Sequence, residues 1–132
     1  MSAPFPEKFK DLIEKKTFAH LGTLMPDGSP QVTPLWWDFD GTHVLLNSAR
    51  GRAKDKNMRR DGRVALAISD PDNPYRYVQL RGRVVEVTEE GAKAHIDKLA
   101  KKYMGVDSYK LRSADEVRVI YKIAIDRTQT MG

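Results

Sequence analysis

The sequence predicts a mainly β domain of the α+β class: a closed or split antiparallel barrel of about six strands, flanked by three helices. Three observations carry this. Apolar residues alternate with period two, most clearly at Val117, Val119, Tyr121, Ile123 and Ile125. Short turn signals, Pro26-Asp27-Gly28 and Asp40-Gly41, join neighbouring strands and so make them antiparallel. At 132 residues, with no repeat, low-complexity tract or linker, the chain is expected to form one domain over residues 1–132.

Pro6 to Lys16 reads as a helix, with Pro6 in its first turn and Phe9, Leu12 and Ile13 on one face. Phe18 to Met25 is a strand. Ser29 to Phe39 is the next, and prolines at 30 and 34 place it at an edge or give it a bulge. After the Asp40-Gly41 turn, His43 to Asn47 returns. Val64 to Ser69 is a short apolar strand, and Asp70 to Pro74 a loop of turn formers. Tyr75 to Thr88 is a long strand whose apolar phase shifts beside Gly82, which implies a bulge or bend. Thr88 is expected to cap a helix with Glu89 and Glu90 in its first turn. Ala92, Ile96, Leu99 and Tyr103 form that helix's buried face, and Gly105 stops it. Asp107 to Glu116 is a polar connection to the final strand.

The segment that stands out is Asn47 to Asp61. An apolar strand ends in Asn47-Ser48-Ala49, breaks at Gly51 and enters a helical pattern. From Arg50 to Arg63 seven Lys or Arg (50, 52, 54, 56, 59, 60 and 63) face only two Asp. Free N–H groups and the positive end of a helix, with cations crowded beside them, suit a phosphate or polycarboxylate. Arg52, Lys56 and Arg59 share one arc of the helix, and charge runs of this kind often face water. Ala53 and Asn57 lie roughly opposite, with Lys54 towards them. A lysine on that side needs an anionic partner, from the protein or from a ligand.

Composition narrows the chemistry. The net charge of +5 and a pI near 9.5 favour anionic partners. Much of the excess sits in one segment, so a local anion site accounts for it as well as a broad nucleic-acid face. Because the basic residues cluster on a single helix start instead of tracking a groove across several strands, nucleic acid is not an expected partner. The absence of cysteine excludes disulfides and thiolate chemistry. No apolar run approaches the ~20 residues of a membrane span. Met1 to Pro6 shows no charged-then-apolar leader, so the cytoplasm is the expected location. His20, His43 and His95 are separated from one another and from carboxylates at ligand spacing, so no metal site is expected. No nucleophile elbow, Walker loop, dinucleotide fingerprint or carboxylate pair is present, and no catalytic side chain is assigned. Any reaction would be carried by a bound cofactor.

The chain resembles the pyridoxamine-phosphate-oxidase-like, FMN-binding split β-barrel proteins. Within them it resembles the flavin/deazaflavin oxidoreductase group that uses coenzyme F420, in its B-type branch. The matching segments begin with Leu21-Gly22-Thr23-Leu24 and Pro26 to Pro34, then Trp36-Trp37 and Asp40-Gly41. The core of the match is Arg50-Gly51-Arg52-Ala53-Lys54 with Asn57 to Val64, followed by Tyr75-Arg76-Tyr77-Val78 and Arg81-Gly82. This order spans residues 6 to about 127, and its arginine–lysine–asparagine pattern is the most specific part.

The resemblance implies a homodimer with two cofactors in grooves between subunits. Arg52 and Lys54 would hold the cofactor phosphate, with Arg50, Gly51, Ala53 and Asn57 around them. Gln31, Val32, Thr33 and Pro34 would run along the ring system, with Asn47 and Ser48 at its polar edge. Tyr75 and Tyr77 would close the pocket, from the same or the second subunit. Trp36 and Trp37 would serve core or interface packing. The implied activity is hydride transfer from reduced F420 to an activated double bond of a small organic acceptor. An FMN-dependent oxidase or flavin reductase of the same fold and a non-enzymatic F420 carrier are the alternatives.

Overall fold

The computed structural model describes residues 3–132; Met1 and Ser2, part of the stretch read above for a leader, lie outside them. One seven-stranded sheet holds every strand, in the order β2-β1-β5-β6-β7-β4-β3, and every neighbouring pair is antiparallel. The strands are β1 (Ala19–Leu24), β2 (Pro30–Leu35), β3 (Trp37–Phe39), β4 (Val44–Ala49), β5 (Arg63–Asp70), β6 (Asn73–Thr88) and β7 (Arg118–Met131). Three helices flank them: α1 (Asp11–Glu14), α2 (Ala53–Arg60) and α3 (Ala92–Met104).

The barrel is split because β2 and β3 follow one another in the chain yet occupy opposite edges of the sheet. Only Trp36 separates them, so the sheet must curl until its two edges nearly meet. The expected single strand from Ser29 to Phe39 is thus two strands, which raises the count from about six to seven. Pro30 and Pro34 lie on the edge strand β2, as their missing N–H groups require.

Alternation places the core as the sequence indicates. In β5, Val64, Leu66 and Ile68 point inward and meet Leu46, Leu80, Tyr121 and Ile123. Trp37 is buried against Phe5 and donates its indole N–H to Thr17 Oγ1 at 2.8 Å. At Gly82 the register jumps, since Arg81 pairs with Arg127 but Gly82 with Ile125. A Cβ on Gly82 would lie 2.1 Å from Ala124 O, so the backbones meet there at a distance only glycine allows.

Four boundaries differ from expectation. The Pro6–Lys16 helix is a 3-10 turn (Glu7–Phe9) followed by the single-turn α1, because Phe9 and Leu12 are pinned in the core three residues apart. The 70–74 loop shrinks to Pro71-Asp72, since Asp70 and Asn73 already pair. Thr88 does not cap α3: its hydroxyl accepts the Glu90 N–H, and Gly91, at φ +75°, makes the entry. The last strand starts at Arg118, leaving Val117 exposed, and runs on to Met131.

Candidate anion and cofactor site

The site begins at the corner between β4 and α2. Gly51, at φ +92°, lets the chain reverse from the end of β4, and Arg52, still extended, precedes the first residue of α2. Two ties hold the corner. The Arg50 N–H bonds Val117 O at 2.9 Å beside the start of β7. The buried Asp55 carboxylate accepts the Gly51 N–H at 2.9 Å, the Tyr121 hydroxyl at 2.5 Å and Arg59 Nε at 2.9 Å. Burial pushes the Asp55 carboxyl up, but these three donors outweigh it and leave the group below its ordinary value. The same burial, with Asp55 beside it, pushes the Tyr121 phenol up.

Beside this corner lies a cavity of about 250 Å³. Arg52 enters it from the turn before α2, Lys54 from α2, Arg118 from β7, and Tyr109 and Arg112 from the connection before β7. Ile96 of α3, with Phe18, Pro34, Leu35 and Trp36, supplies an apolar wall, and Asn47 and Ser48 line the end of β4. Trp36 stacks on Tyr103 at 5.1 Å and meets Tyr109 edge-on at 6.0 Å, so its ring is fixed.

The electrostatics are one-sided. Four cations line the cavity, and the carboxylate among them is Glu116, which is 2.7 Å from Arg118 and 3.7 Å from Arg52. Lys54 is half-buried and makes no ion pair among the described residues. Burial, then Arg52, Arg112 and Arg118, lower its pKa. Ser48 adds a second unmet demand. Its Oγ is buried in the cavity lining and has no hydrogen-bond partner. An unpaired cation and an orphaned hydroxyl on one wall suit a ligand with an anionic group and a polar edge.

A larger hollow of about 450 Å³ lies between β1, β5, β6 and β7. Its lining mixes small and apolar residues with Arg63, Arg81, Arg127 and Asp126, and none of its residues has a buried polar atom without a partner. Size alone does not make it the better site.

Of the residues singled out in the sequence, Pro34, Asn47, Ser48, Arg52 and Lys54 meet at the cavity. Gln31, Val32 and Thr33 continue from Pro34 along the open edge of β2, where Val32 is 64% exposed. Gly51 makes the turn, and Ala53 is exposed at the start of α2 instead of facing inward. Arg50 turns out to Glu89 at 2.6 Å. Asn57 is buried as a tie from α2 to β1, donating to Thr23 Oγ1 at 3.0 Å. Tyr75 is 78% exposed, and Tyr77 pairs with Met131, thirteen residues along β7 from Arg118. Neither tyrosine lines the cavity in this chain.

Arg112, Arg118 and Tyr109 were not legible as site residues. Arg118 carried one signal, a cation between two valines at the start of a buried strand; the others lie in a connection without pattern. His95 Nε2 lies 3.2 Å from Asp38 Oδ2, a carboxylate 57 positions away in sequence. Among the described residues no cluster of three or more metal-ligating side chains occurs, and no helix is long and apolar enough to cross a membrane.

Comparison with known proteins agrees with the fold. The chain is similar to a solved F420 reductase at 31% identity, with a TM-score of 0.82, covering 95% of this chain and 98% of that one. It is also similar to Rv2991, a conserved hypothetical protein from Mycobacterium tuberculosis, at 23% identity and a TM-score of 0.72, covering 98% and 86%. HupZ from Group A Streptococcus matches at 20% identity and a TM-score of 0.69, covering 96% and 93%. The family model described as pyridoxamine 5'-phosphate oxidase matches residues 5–132. With its sheet curled between β2 and β3 and its cations gathered behind Gly51, the chain belongs to the pyridoxamine 5'-phosphate oxidase family of split β-barrels.

Proposed function

We propose that this chain is a reductase that uses reduced coenzyme F420, accepting the cofactor's acidic end at the Arg52–Lys54 corner. One observation carries the reading: Lys54 is half-buried among Arg52, Arg112 and Arg118 with no acidic partner. The cost of gathering these charges is offset when a polyanion binds between them. F420 bears a phosphodiester and a glutamate tail, so it meets more of these cations than a compact FMN does. The likeness to an F420 reductase at 31% identity supports the same choice.

Bound reduced F420 supplies the hydride, and this chain's residues supply position. Arg52 and Lys54 hold the phosphate, with Arg112 and Arg118 nearby. The Ser48 hydroxyl meets the polar edge of the ring system. Gln31, Val32, Thr33 and Pro34 run beside the ring along the open edge of β2, while Trp36, Leu35 and Ile96 exclude water.

We further propose that a second copy of the chain completes the site. The cavity of about 250 Å³ is smaller than the roughly 300–1,000 Å³ of most ligand pockets, so one protomer supplies only part of the wall. Tyr75 and Tyr77, outside the cavity lining of their own chain, are the residues that a partner would bring.

The test is to mix the purified protein with reduced F420 and quinone or unsaturated-lactone acceptors and to follow the return of oxidised-cofactor absorbance. Tight FMN binding without F420 binding overturns the reading. The family match favours that second reading, an FMN-dependent oxidase, and a yellow purified protein would be its sign. F420 binding without turnover on any acceptor would instead indicate a carrier.

A further inference from the structure

The cavity's most buried cation is held by a chain of side chains that leads away from the site. Arg118 donates from Nε to Asn47 Oδ1 at 2.9 Å and from Nη1 to Glu116 at 2.7 Å, and neither bond uses Nη2. Asn47 donates from Nδ2 to Ala92 O at 2.9 Å and approaches His95 Nδ1 at 3.1 Å. His95 Nε2 then meets Asp38 Oδ2 at 3.2 Å. Both N–H groups of Asn47, assigned above to the ligand's polar edge, are thus used within the protein.

Chemistry fixes every direction in this chain. A guanidinium cannot accept, so the Asn47 atom facing Arg118 must be the oxygen. A backbone carbonyl cannot donate, so the atom facing Ala92 must be the NH₂. His95 Nδ1 therefore faces an N–H group and must accept, which places the ring proton on Nε2, aimed at Asp38. The bond from His95 holds the Asp38 carboxyl far below its ordinary value, with Lys98 at 3.3 Å adding to it.

We propose that Asp38 and His95 are positioning residues for Arg118: they fix the neutral His95 tautomer that locks the Asn47 amide, which aims the guanidinium at an anionic group of the ligand. This rests on the reading of the cavity as an anion site. The Asn47 amide cannot turn, since turning would set its NH₂ against Arg118 and its oxygen against Ala92 O. Without an acceptor at His95 Nδ1 the lock is lost and Arg118 loosens. The groups that face His95 are Asp38 from β3, Asn47 from β4 and, through Asn47, Arg118 from β7; Lys98 and Lys102 of α3 lie near Asp38.

The test measures the affinity of oxidised F420 by its fluorescence, and of FMN as a second probe, at neutral pH. His95→Gln, whose amide oxygen still accepts from Asn47, should keep the wild-type affinity. His95→Leu should weaken binding about three- to tenfold, the effect of one lost hydrogen bond to a charged group. It should cause no further loss in an Arg118→Met background. Nitrogen NMR of the ligand-free protein should show His95 protonated at Nε2, and the Arg118 Nε–H signal should move in His95→Leu and stay in His95→Gln. His95→Gln binding as weakly as His95→Leu, or an Arg118 signal indifferent to both variants, overturns the proposal while leaving the cofactor reading intact. No binding of either probe to wild type overturns both.

Discussion

Tyr121, near the start of β7, donates its hydroxyl to Asp55, in the first turn of α2, at 2.5 Å. Both side chains are buried, at 0% and 2% exposure. Asp55 passes the constraint on to the Gly51 N–H, so the buried strand sets the shape of the corner on which Arg52 and Lys54 stand. The negative charge of α2 faces the core and leaves the cationic wall of the cavity unneutralised.

Removing that hydroxyl tests the relationship. Tyr121→Phe keeps the packing and deletes a bond to a carboxylate, which costs about 1.5–3 kcal/mol. The urea midpoint should fall with an unchanged slope. F420 affinity should fall as well, because the corner loses its inner support. An unaltered midpoint would show that Asp55 is held adequately by Gly51 and Arg59 alone.

Gly82 gives a second test, of the sheet alone. A methyl group at this position would meet Ala124 O at 2.1 Å, inside any tolerable contact. The two backbones must part, and Gly82→Ala should cost about 1–3 kcal/mol by thermal or urea unfolding. Wild-type stability in this variant would mean that the bulge opens without penalty.

Asp70 ties the β5–β6 hairpin to α1 and should set part of the acid limb. Its carboxyl accepts the Asp72 N–H at 2.9 Å, Arg76 at 2.8 Å and Lys15 at 3.0 Å, and these donors hold it at about 2. The folded value lies below the unfolded one. The stabilisation is therefore complete above the unfolded value of 3.8 and is lost as pH falls through about 2. Urea midpoints of wild type should drop over this window, and Asp70→Asn should flatten the drop. Parallel curves for the two proteins would remove Asp70 from the acid transition.

The sequence makes plain those features that depend on local pattern. Alternation in β5 and β7 marks the core, and Gly51 followed by Arg52 and Lys54 marks the corner. It hides what depends on chain closure. Nothing local shows that the stretch through Trp36 must break so that β2 and β3 can take opposite edges. Arg118 reaches the cavity from 64 positions beyond Lys54, and His95 finds Asp38 only because α3 packs on β4 and β7. The helix entry at Gly91 was masked by Thr88, Glu89 and Glu90, which spell a cap but are used in a turn.

Lys54 should show opposite effects on stability and binding. Replacing it with Met removes an unpaired, half-buried cation from beside three arginines. The unliganded protein should therefore hold or gain stability, by up to about 1 kcal/mol. F420 affinity should nevertheless fall tenfold or more, at about 1.4 kcal/mol per decade. A variant that loses stability but binds as before would make Lys54 a structural residue.

Proton uptake should accompany binding. Burial and the neighbouring arginines lower the Lys54 pKa in the free protein. Between that lowered value and the unfolded 10.5 the unfolded chain holds more protons, so this group makes unliganded stability rise with pH across the window. An anionic cofactor beside Lys54 reverses the sign: it favours the ammonium and raises the pKa. Binding on the alkaline side should then draw a proton from the buffer, and affinity should decline as pH rises. Calorimetry in buffers of different ionisation enthalpy reads this directly, as a binding heat that scales with the buffer. The scaling should vanish in Lys54→Met. A buffer-independent heat in wild type, or an equal dependence in the variant, would place the anion away from Lys54, because a phosphate within reach of that nitrogen must shift its proton equilibrium.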